Sequence, residues 1–167
     1  METGQRIELK RKKEQQGRNE MHISFDAISI NEAFARIVVA AFVAPLNPTL
    51  EEISDIKTAV SEAVTNAIIH GYDAEDSADR KPVYMDCLIR EDVLEVVIRD
   101  EGKGIENIEL AMQPLFTTKP DQDRSGMGFA FMEAFMDDLE VESAQGEGTS
   151  VIMKKKLGSS SWLADED

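Results

Sequence analysis

The sequence lacks the several cysteines that a disulfide framework needs and the long apolar segment that a membrane-spanning helix needs. Cysteine occurs once, at Cys87, which excludes a disulfide network and a metal site made of several thiolates. No apolar run reaches the roughly 20 residues that a membrane-spanning helix needs, and no signal peptide pattern opens the chain. We therefore expect a cytoplasmic protein that makes no contact with a membrane.

Basic residues are also few. The 18 Lys and Arg residues are outnumbered by 33 Asp and Glu residues, which gives a net charge of -15. Residues 1–18 hold six of the basic residues, and the rest of the chain, with 12 basic and 30 acidic residues, carries a net charge of −18. Because such a surface repels a phosphate backbone, we expect no direct nucleic-acid binding. The charge favours partners that are basic or that themselves bind nucleic acid.

The length and the distribution of polar residues divide the chain into three parts. A chain of 167 residues is long enough for one domain with a hydrophobic core and short tails. Residues 1–18 lack apolar periodicity and are predicted to form a flexible basic leader, or alternatively an arm that grips an acidic partner. Residues 158–167, rich in serine and acidic residues, are predicted to be a disordered tail. The folded domain is expected to span residues 19–157.

Apolar periodicity predicts two helices early in this domain. Asn31 opens the first, and Arg36 lies off its apolar side, either as a solvated side chain or as a partner contact. Thr49 and Glu52 form the capping-box pattern that begins a second, longer helix, which ends at Gly71. The apolar stripe of the first helix is predicted to consist of Phe34, Ile37, Val38, Ala41 and Phe42.

Alternating or continuous apolar segments predict five strands. Glu91 and Asp92 separate two of them as a hairpin turn. A short helix from Ile105 to Met112 and a long polar loop from Gln113 to Ser125 follow this hairpin, and loops of that length are typical of lids. The strands are predicted at residues 21–26, 83–90, 93–100, 139–143 and 149–155.

Three polar side chains lie four residues apart in the second helix. Glu62, Asn66 and His70 share one stripe, and the neighbouring positions are apolar. A carboxylate, an amide and an imidazole are costly to bury without partners. The stripe is therefore either a helix edge that meets water or a cap, or a metal–phosphate site with Asn66 as an oxygen ligand and Glu62 as a base.

Two glycine clusters favour the second alternative. Asp100-Glu-Gly102-Lys-Gly104 directly follows a predicted strand, where glycines let the backbone turn sharply or a ligand come close. Gly126-Met127-Gly128 opens a helix that is apolar all round and is predicted to be deeply buried. The unpaired N–H groups at that helix start suit a phosphate.

Other common nucleotide-binding patterns are absent or incomplete. The chain contains no Gly-x-x-x-x-Gly-Lys-Ser/Thr sequence and neither the His-Arg-Asp nor the Asp-Phe-Gly element of protein kinases. The Gly126-Met-Gly128 motif follows a loop rather than a strand, which argues against a dinucleotide fingerprint.

Taken together and in this order, the motifs resemble the GHKL superfamily of ATPases and kinases, which includes gyrase and the histidine kinases. Within it, three segments look like the sporulation anti-sigma F family of serine-protein kinases. The resemblance covers Asn19 to Leu157 and implies an α+β two-layer sandwich, the Bergerat fold, whose mixed, mostly antiparallel sheet carries helices on one face. The three segments are Ser61–Gly71, Pro114–Pro120 and Arg124–Phe129.

The resemblance implies a site for ATP or ADP beside the first glycine cluster. Asp100 would accept a hydrogen bond from the adenine amino group, and Gly102 and Gly104 would give the base room. Thr149, in a late Gly148-Thr149 pair, would assist at the adenine.

The resemblance also assigns roles at the phosphate end. Asn66 would hold Mg²⁺ through its amide oxygen, a hard ligand that this ion prefers, and Glu62 would deprotonate the attacking serine hydroxyl. Lys119, Arg124 and the segment Ser125-Gly126-Met127-Gly128 would bind the phosphates and stabilise charge during transfer. Arg124 would distinguish ATP from ADP. His70 is expected to be structural.

The family implies particular partners. Its members bind and inhibit sigma F, phosphorylate a serine of an anti-anti-sigma factor and act as homodimers, and Arg36 matches a basic residue that contacts both partners. An alternative of a different class is a binding module in which ATP holds the sigma-binding shape without significant transfer. A histidine-kinase catalytic domain is rejected, because neither His22 nor His70 lies in a phospho-accepting helical hairpin.

Overall fold

The computed structural model describes residues 17–72, 81–115 and 126–158. The predictions for Lys119, Arg124 and Ser125, and those for most of the disordered tail and of the basic leader, lie outside these residues. Within the described ranges, every helix is too short or too polar to cross a lipid bilayer.

In the described residues, five strands form one sheet in the order β1-β2-β3-β5-β4. All four pairings are antiparallel, so this sheet is not mixed as predicted. Strand β1 begins three residues earlier than the predicted Met21, because its pairing with β2 extends to Arg18 opposite Arg90. Glu91 closes the predicted β2–β3 hairpin with a φ of 56°. The strands are β1 (Arg18–Asp26), β2 (Pro82–Arg90), β3 (Val93–Asp100), β4 (Asp138–Ala144) and β5 (Gly148–Lys156).

Helices cover one face of this sheet and give the predicted two-layer arrangement. Alternate residues of β2 and β3 are buried beneath the helices and form a single apolar core with them. A five-residue π-turn, Ala67–Gly71, continues the second long helix. The helices are α1 (Ile30–Val43), α2 (Leu50–Asn66), α3 (Ile108–Ala111) and α4 (Gly128–Phe135).

The buried stripe of α1 differs from the predicted one. Ala35, Val39 and Val43 are fully buried, whereas Phe34 and Ile37 are 46% and 67% exposed. The prediction favoured the larger apolar residues, but small side chains allow α1 and α2 to pack closely. The outward-facing residues Ile30, Phe34 and Ile37 form an exposed apolar surface, here called the α1 patch.

The prediction that α4 is buried all round is also wrong. Met132 is the only buried residue within this helix, and Glu133 and Ala134 are exposed. The helix packs against α2 along one side, so its other side meets solvent despite its apolar composition.

The predicted capping box begins α2. Thr49 Oγ1 accepts a hydrogen bond from Glu52 N at 3.1 Å, and Glu52 Oε2 accepts one from Thr49 N at 2.7 Å. We expect Thr49→Ala to lower the free energy of unfolding by about 1 kcal/mol, because Glu52 N loses its acceptor. Urea denaturation measures this loss, with the exposed Ser54→Ala as the control. Equal stability of the two variants would mean that packing alone fixes the start of α2.

Candidate functional site

A cavity of about 510 Å³ lies between α2, the adjoining ends of β3 and β5, and the start of α4. Its size is within the range of roughly 300–1,000 Å³ that is usual for small-molecule sites. Glu62, Gly102 and Met127 adjoin the wall without being part of it. The predicted site residues that line the cavity are Asn66, Asp100, Gly104, Gly126, Gly128 and Thr149.

Asp100 is the most unusual residue of this wall, since it is a charged side chain that is only 5% exposed. Its Oδ1 accepts a hydrogen bond from Gly102 N at 2.9 Å, and the backbone N–H of Thr149 also donates to the carboxylate. Burial raises the pKa of Asp100 above its ordinary value, and the two amide hydrogen bonds partly oppose that effect. Asp100 therefore offers a strong hydrogen-bond acceptor beside the apolar side chains of Ile98 and Val151.

Two glycines pack against each other next to Asp100. A Cβ atom at Gly102 would lie 1.9 Å from Gly71 O, and one at Gly71 would lie 2.8 Å from Asp100 Cγ. Lys103 N donates to Gly71 O at 2.9 Å, which fixes this contact. Gly71, which the sequence identifies only as the end of a helix, thus also makes room for the carboxylate. Its contact with a segment distant in the chain leaves no local sequence signal.

The start of α4 lies directly against α2. A Cβ atom at Gly128 would lie 3.2 Å from both Glu62 Oε2 and Asn66 Nδ2. The carboxylate and the amide are neighbours because they lie four residues apart on α2. The structure thus brings Glu62, Asn66 and Gly128 together, as the motifs predict, and a larger residue at position 128 would cover the two side chains.

The N-terminus of α4 can also bind an anion. The N-cap residue of α4, Met127, makes no capping hydrogen bond through its side chain, and Gly126 and Gly128 both line the cavity. First-turn N–H groups of a helix carry a partial positive charge and have no partner within the helix. A phosphate bound in the cavity would act as the cap of α4.

His70 follows Glu62 and Asn66 through a widened turn rather than along a regular α-helix. The α-helix ends at Asn66, and the following π-turn changes the number of residues per turn. His70 nevertheless lines the cavity with Asn66 and Gly71. The sequence carries no signal for this widened turn, so the position of His70 in the wall was missed.

Several further residues of the wall were not identified from the sequence. Ser143, which the sequence did not identify either, supports the predicted wall residue Thr149 through a contact of 2.9 Å between the two hydroxyl oxygens. Ser143 Oγ also accepts from Ile105 N at 2.8 Å, which ties the segment after β3 to β4. Among the wall residues that the sequence did not identify, only Asn107 belongs to a recognisable sequence pattern, because asparagine is a common N-cap residue and Asn107 caps α3. The further lining residues include Lys103, Ile105, Asn107, Leu110, Gln113, Phe129, Gln145 and Gly146.

The described residues contain no group of three or more His, Cys, Asp and Glu side chains that could hold a metal ion. A divalent cation here would depend on one or two protein oxygens, such as the amide oxygen of Asn66, together with oxygens of a bound ligand. Mg²⁺ is commonly held in this way beside phosphates.

The described residues on either side of the segment that carries Lys119, Arg124 and Ser125 lie near the cavity. Leu115 N donates to Gly126 O at 2.8 Å, which joins the two residues that flank it. Gln113 and Gly126 are both part of the cavity wall. The roles of the three residues stay predictions.

Arg36 lies on α1, away from the cavity wall. Its Nε is 2.8 Å from Glu32 Oε1, and its side chain is 41% exposed on the helix that also carries the α1 patch. Glu32 also accepts a hydrogen bond from Ser61, the residue before Glu62. The surface around Arg36 is therefore linked to the part of α2 that carries Glu62.

Comparison with known proteins agrees with this geometry. A family model described as a histidine kinase-like ATPase domain matches residues 26–155. An anti-sigma F factor of Anoxybacillus flavithermus is 56% identical over 148 residues, which cover 89% of this chain and 99% of the relative. An anti-sigma F factor of Clostridium perfringens is 56% identical over 139 residues, which cover 83% of this chain and 97% of the relative.

A solved structure supports the fold. The crystal structure of the RsbU and RsbW domains of a Mycobacterium tuberculosis protein matches with a TM-score of 0.59 and 21% identity. The match covers 83% of this chain and 32% of the other chain. At this identity the likeness concerns the fold alone, and it confirms the predicted α+β sandwich.

Proposed function

Because this chain belongs to the histidine kinase-like ATPase family and, within it, to the anti-sigma F factors, we propose that it inhibits sigma F by binding it and uses ATP to phosphorylate a serine of an anti-anti-sigma factor. The observation that carries the nucleotide part is the buried Asp100 carboxylate in the wall of the cavity. Two backbone N–H groups donate to this carboxylate, but an ionised carboxylate can accept about four hydrogen bonds. The adenine amino group would be a further donor from the cavity.

The proposed site binds the two ends of ATP with different elements. At the adenine end, Asp100 accepts from the base, while Gly71 and Gly102 keep the carboxylate in place. At the phosphate end, the start of α4 at Gly126 and Gly128 faces the same cavity. The adenine and the phosphates would thus lie along the cavity between β3 and α4.

Glu62 is the proposed base for the transfer. Its carboxylate lies beside Asn66 and the start of α4, where the last phosphate of ATP would be held. There it accepts the proton of the substrate serine hydroxyl and orients the oxygen for attack. Mg²⁺, held in part by the amide oxygen of Asn66, would neutralise charge on the phosphates. Lys119 and Arg124 are proposed to add positive charge to the same end.

A binding module without significant kinase activity is the second candidate. In that case ATP would only hold the sigma-binding shape, and a carboxylate beside the phosphates would have no task. The position of Glu62 against Gly128 and Asn66 favours the kinase. Incubation with labelled ATP and an anti-anti-sigma protein decides between them. The kinase transfers label to a serine of that protein, whereas the module leaves it unlabelled.

The α1 patch and Arg36 are the proposed contacts for sigma F and for the anti-anti-sigma factor. The patch lies on the same helix as the half-exposed guanidinium of Arg36, and aromatic residues and arginine are both enriched at protein interfaces. We also propose that the protein acts as a homodimer, which sedimentation analysis tests.

Arg36→Ala should weaken binding of both protein partners by about tenfold or more, because arginine at such a site commonly contributes more than 1 kcal/mol. The affinity for ATP should stay within about twofold, since Arg36 is not part of the cavity wall. Binding to the surface-immobilised partners measures the dissociation constant for each of them. Arg90→Ala is the control for the loss of one exposed positive charge. Unchanged binding of both partners by the Arg36→Ala protein would remove Arg36 from the interface.

A further inference from the structure

Lys155 is a lysine with an inward-facing ammonium group. Its Nζ donates to Phe135 O, the last residue of α4, at 2.7 Å. The same Nζ lies 3.2 Å from Asp55 Oδ2 on α2. The side chain is only 12% exposed, and since it comes from β5 it connects the sheet to both helices.

The two neighbouring lysines of β5 behave differently. Lys154 and Lys156 are 39% and 61% exposed, and each forms ion pairs with surface carboxylates. Ion pairs at exposed positions contribute little to stability. The contacts of Lys155 are thus not a general property of this basic segment.

Helix α4 depends on Lys155 for its C-terminal end. The last carbonyl groups of a helix have no partner within it, and α4 has no basic residue in its own last turn. Lys155 supplies a positive charge at the negative end of the helix dipole. Because α4 contains only eight residues, one contact at its end has a large influence on where the whole helix lies.

The contact through Lys155 and the contact at Gly128 hold the same two helices. Phe135 is seven residues after Gly128 on α4, and Asp55 is seven residues before Glu62 on α2. The helices therefore run antiparallel and are joined at two levels, about 10 Å apart along each axis. One level carries Lys155, and the other carries Gly128 against Glu62 and Asn66.

We infer that Lys155 is a positioning residue for the phosphate end of the nucleotide site, and this inference rests on the proposed ATP binding. By fixing the C-terminal end of α4 to α2, it holds the N-terminal end of α4 at the distance from Glu62 and Asn66 that the phosphates require. The adenine end does not contact Lys155, because Asp100 and Gly102 lie at and just after the end of β3 and Gly71 lies on the turn after α2.

The test compares adenosine with ATP. Lys155→Met keeps the length of the side chain and removes the ammonium group, and calorimetric titration should show ATP binding weakened by about tenfold or more. Adenosine binding should change by less than about twofold, because adenosine does not reach α4. Lys156→Met removes one charge from the next residue and should leave both affinities unchanged, which controls for net charge.

Each result has a defined meaning. If Lys155→Met binds ATP as tightly as Lys156→Met does, or if it loses adenosine and ATP affinity in parallel, the positioning role is wrong. If Lys155→Met does not fold, the double variant Lys155→Met with Asp55→Asn leaves neither charge unpaired, and the same two-ligand comparison applies to it. A wild-type protein that binds neither ligand would overturn the proposed function as well.

Discussion

Glu62→Gln should reduce phosphorylation of the anti-anti-sigma factor by about a hundredfold or more while leaving ATP affinity within about twofold. A positioned base contributes roughly 10²–10⁴ to a rate, and glutamine keeps the shape of the side chain beside Gly128 without its basicity. Single-turnover transfer of labelled phosphate measures the rate, and titration with ATP measures the affinity. Because the substitution leaves the adenine contacts unchanged, the rate of transfer should fall while the affinity for ATP does not.

Glu133→Gln is the matched control, since Glu133 is an exposed carboxylate on α4. It should transfer phosphate at the wild-type rate. A Glu62→Gln protein that labels its substrate normally would show that Glu62 is not the base. Loss of ATP binding in the same variant would assign Glu62 to nucleotide binding instead.

Asp100→Asn should weaken ATP binding by about 10- to 100-fold. The amide cannot accept from Gly102, Thr149 and the adenine amino group at once, and an unpaired buried polar group costs roughly 1–3 kcal/mol. Asp86→Asn is the control, because Asp86 is a more exposed strand carboxylate that lies 2.7 Å from His22. If Asp100→Asn and Asp86→Asn bind ATP equally well, the adenine is not held at Asp100.

The effect of Asp100→Asn on the free energy of unfolding should also depend on pH. Burial raises the pKa of Asp100 in the folded protein, so the wild type binds more protons folded than unfolded as the carboxyl titrates. The wild-type stability contributed by this group is complete below its ordinary pKa and is lost as the pH rises through the folded pKa. As the pH increases across this range, the free energy of unfolding of the wild type should therefore fall relative to that of Asp100→Asn.

Much of the site could be predicted because its motifs are local. Glu62 and Asn66 lie four residues apart on a helix, which places them together whatever the rest of the fold does. Asp100 is the last residue of a strand with a clear apolar pattern, and the glycines at positions 126 and 128 lie at the start of a helix. The family suggested by these motifs is confirmed by the relatives.

The missed features arise from contacts between distant segments. Gly71 supports Asp100 only because the turn after α2 packs on the end of β3, and the bond between Ser143 and Thr149 requires the pairing of β4 with β5. Neither contact has a periodic sequence pattern. The stripe of α1 was assigned wrongly for a related reason, since exposed apolar residues and buried ones look alike in the sequence of a helix.

A crystal structure with Mg²⁺ and a non-hydrolysable ATP analogue tests the proposed site most directly. We predict the adenine amino nitrogen within about 2.7–3.2 Å of an Asp100 carboxylate oxygen, and the terminal phosphate between the start of α4 and the side chains of Glu62 and Asn66. An analogue bound elsewhere, or a cavity closed by the chain's own side chains, would contradict this account.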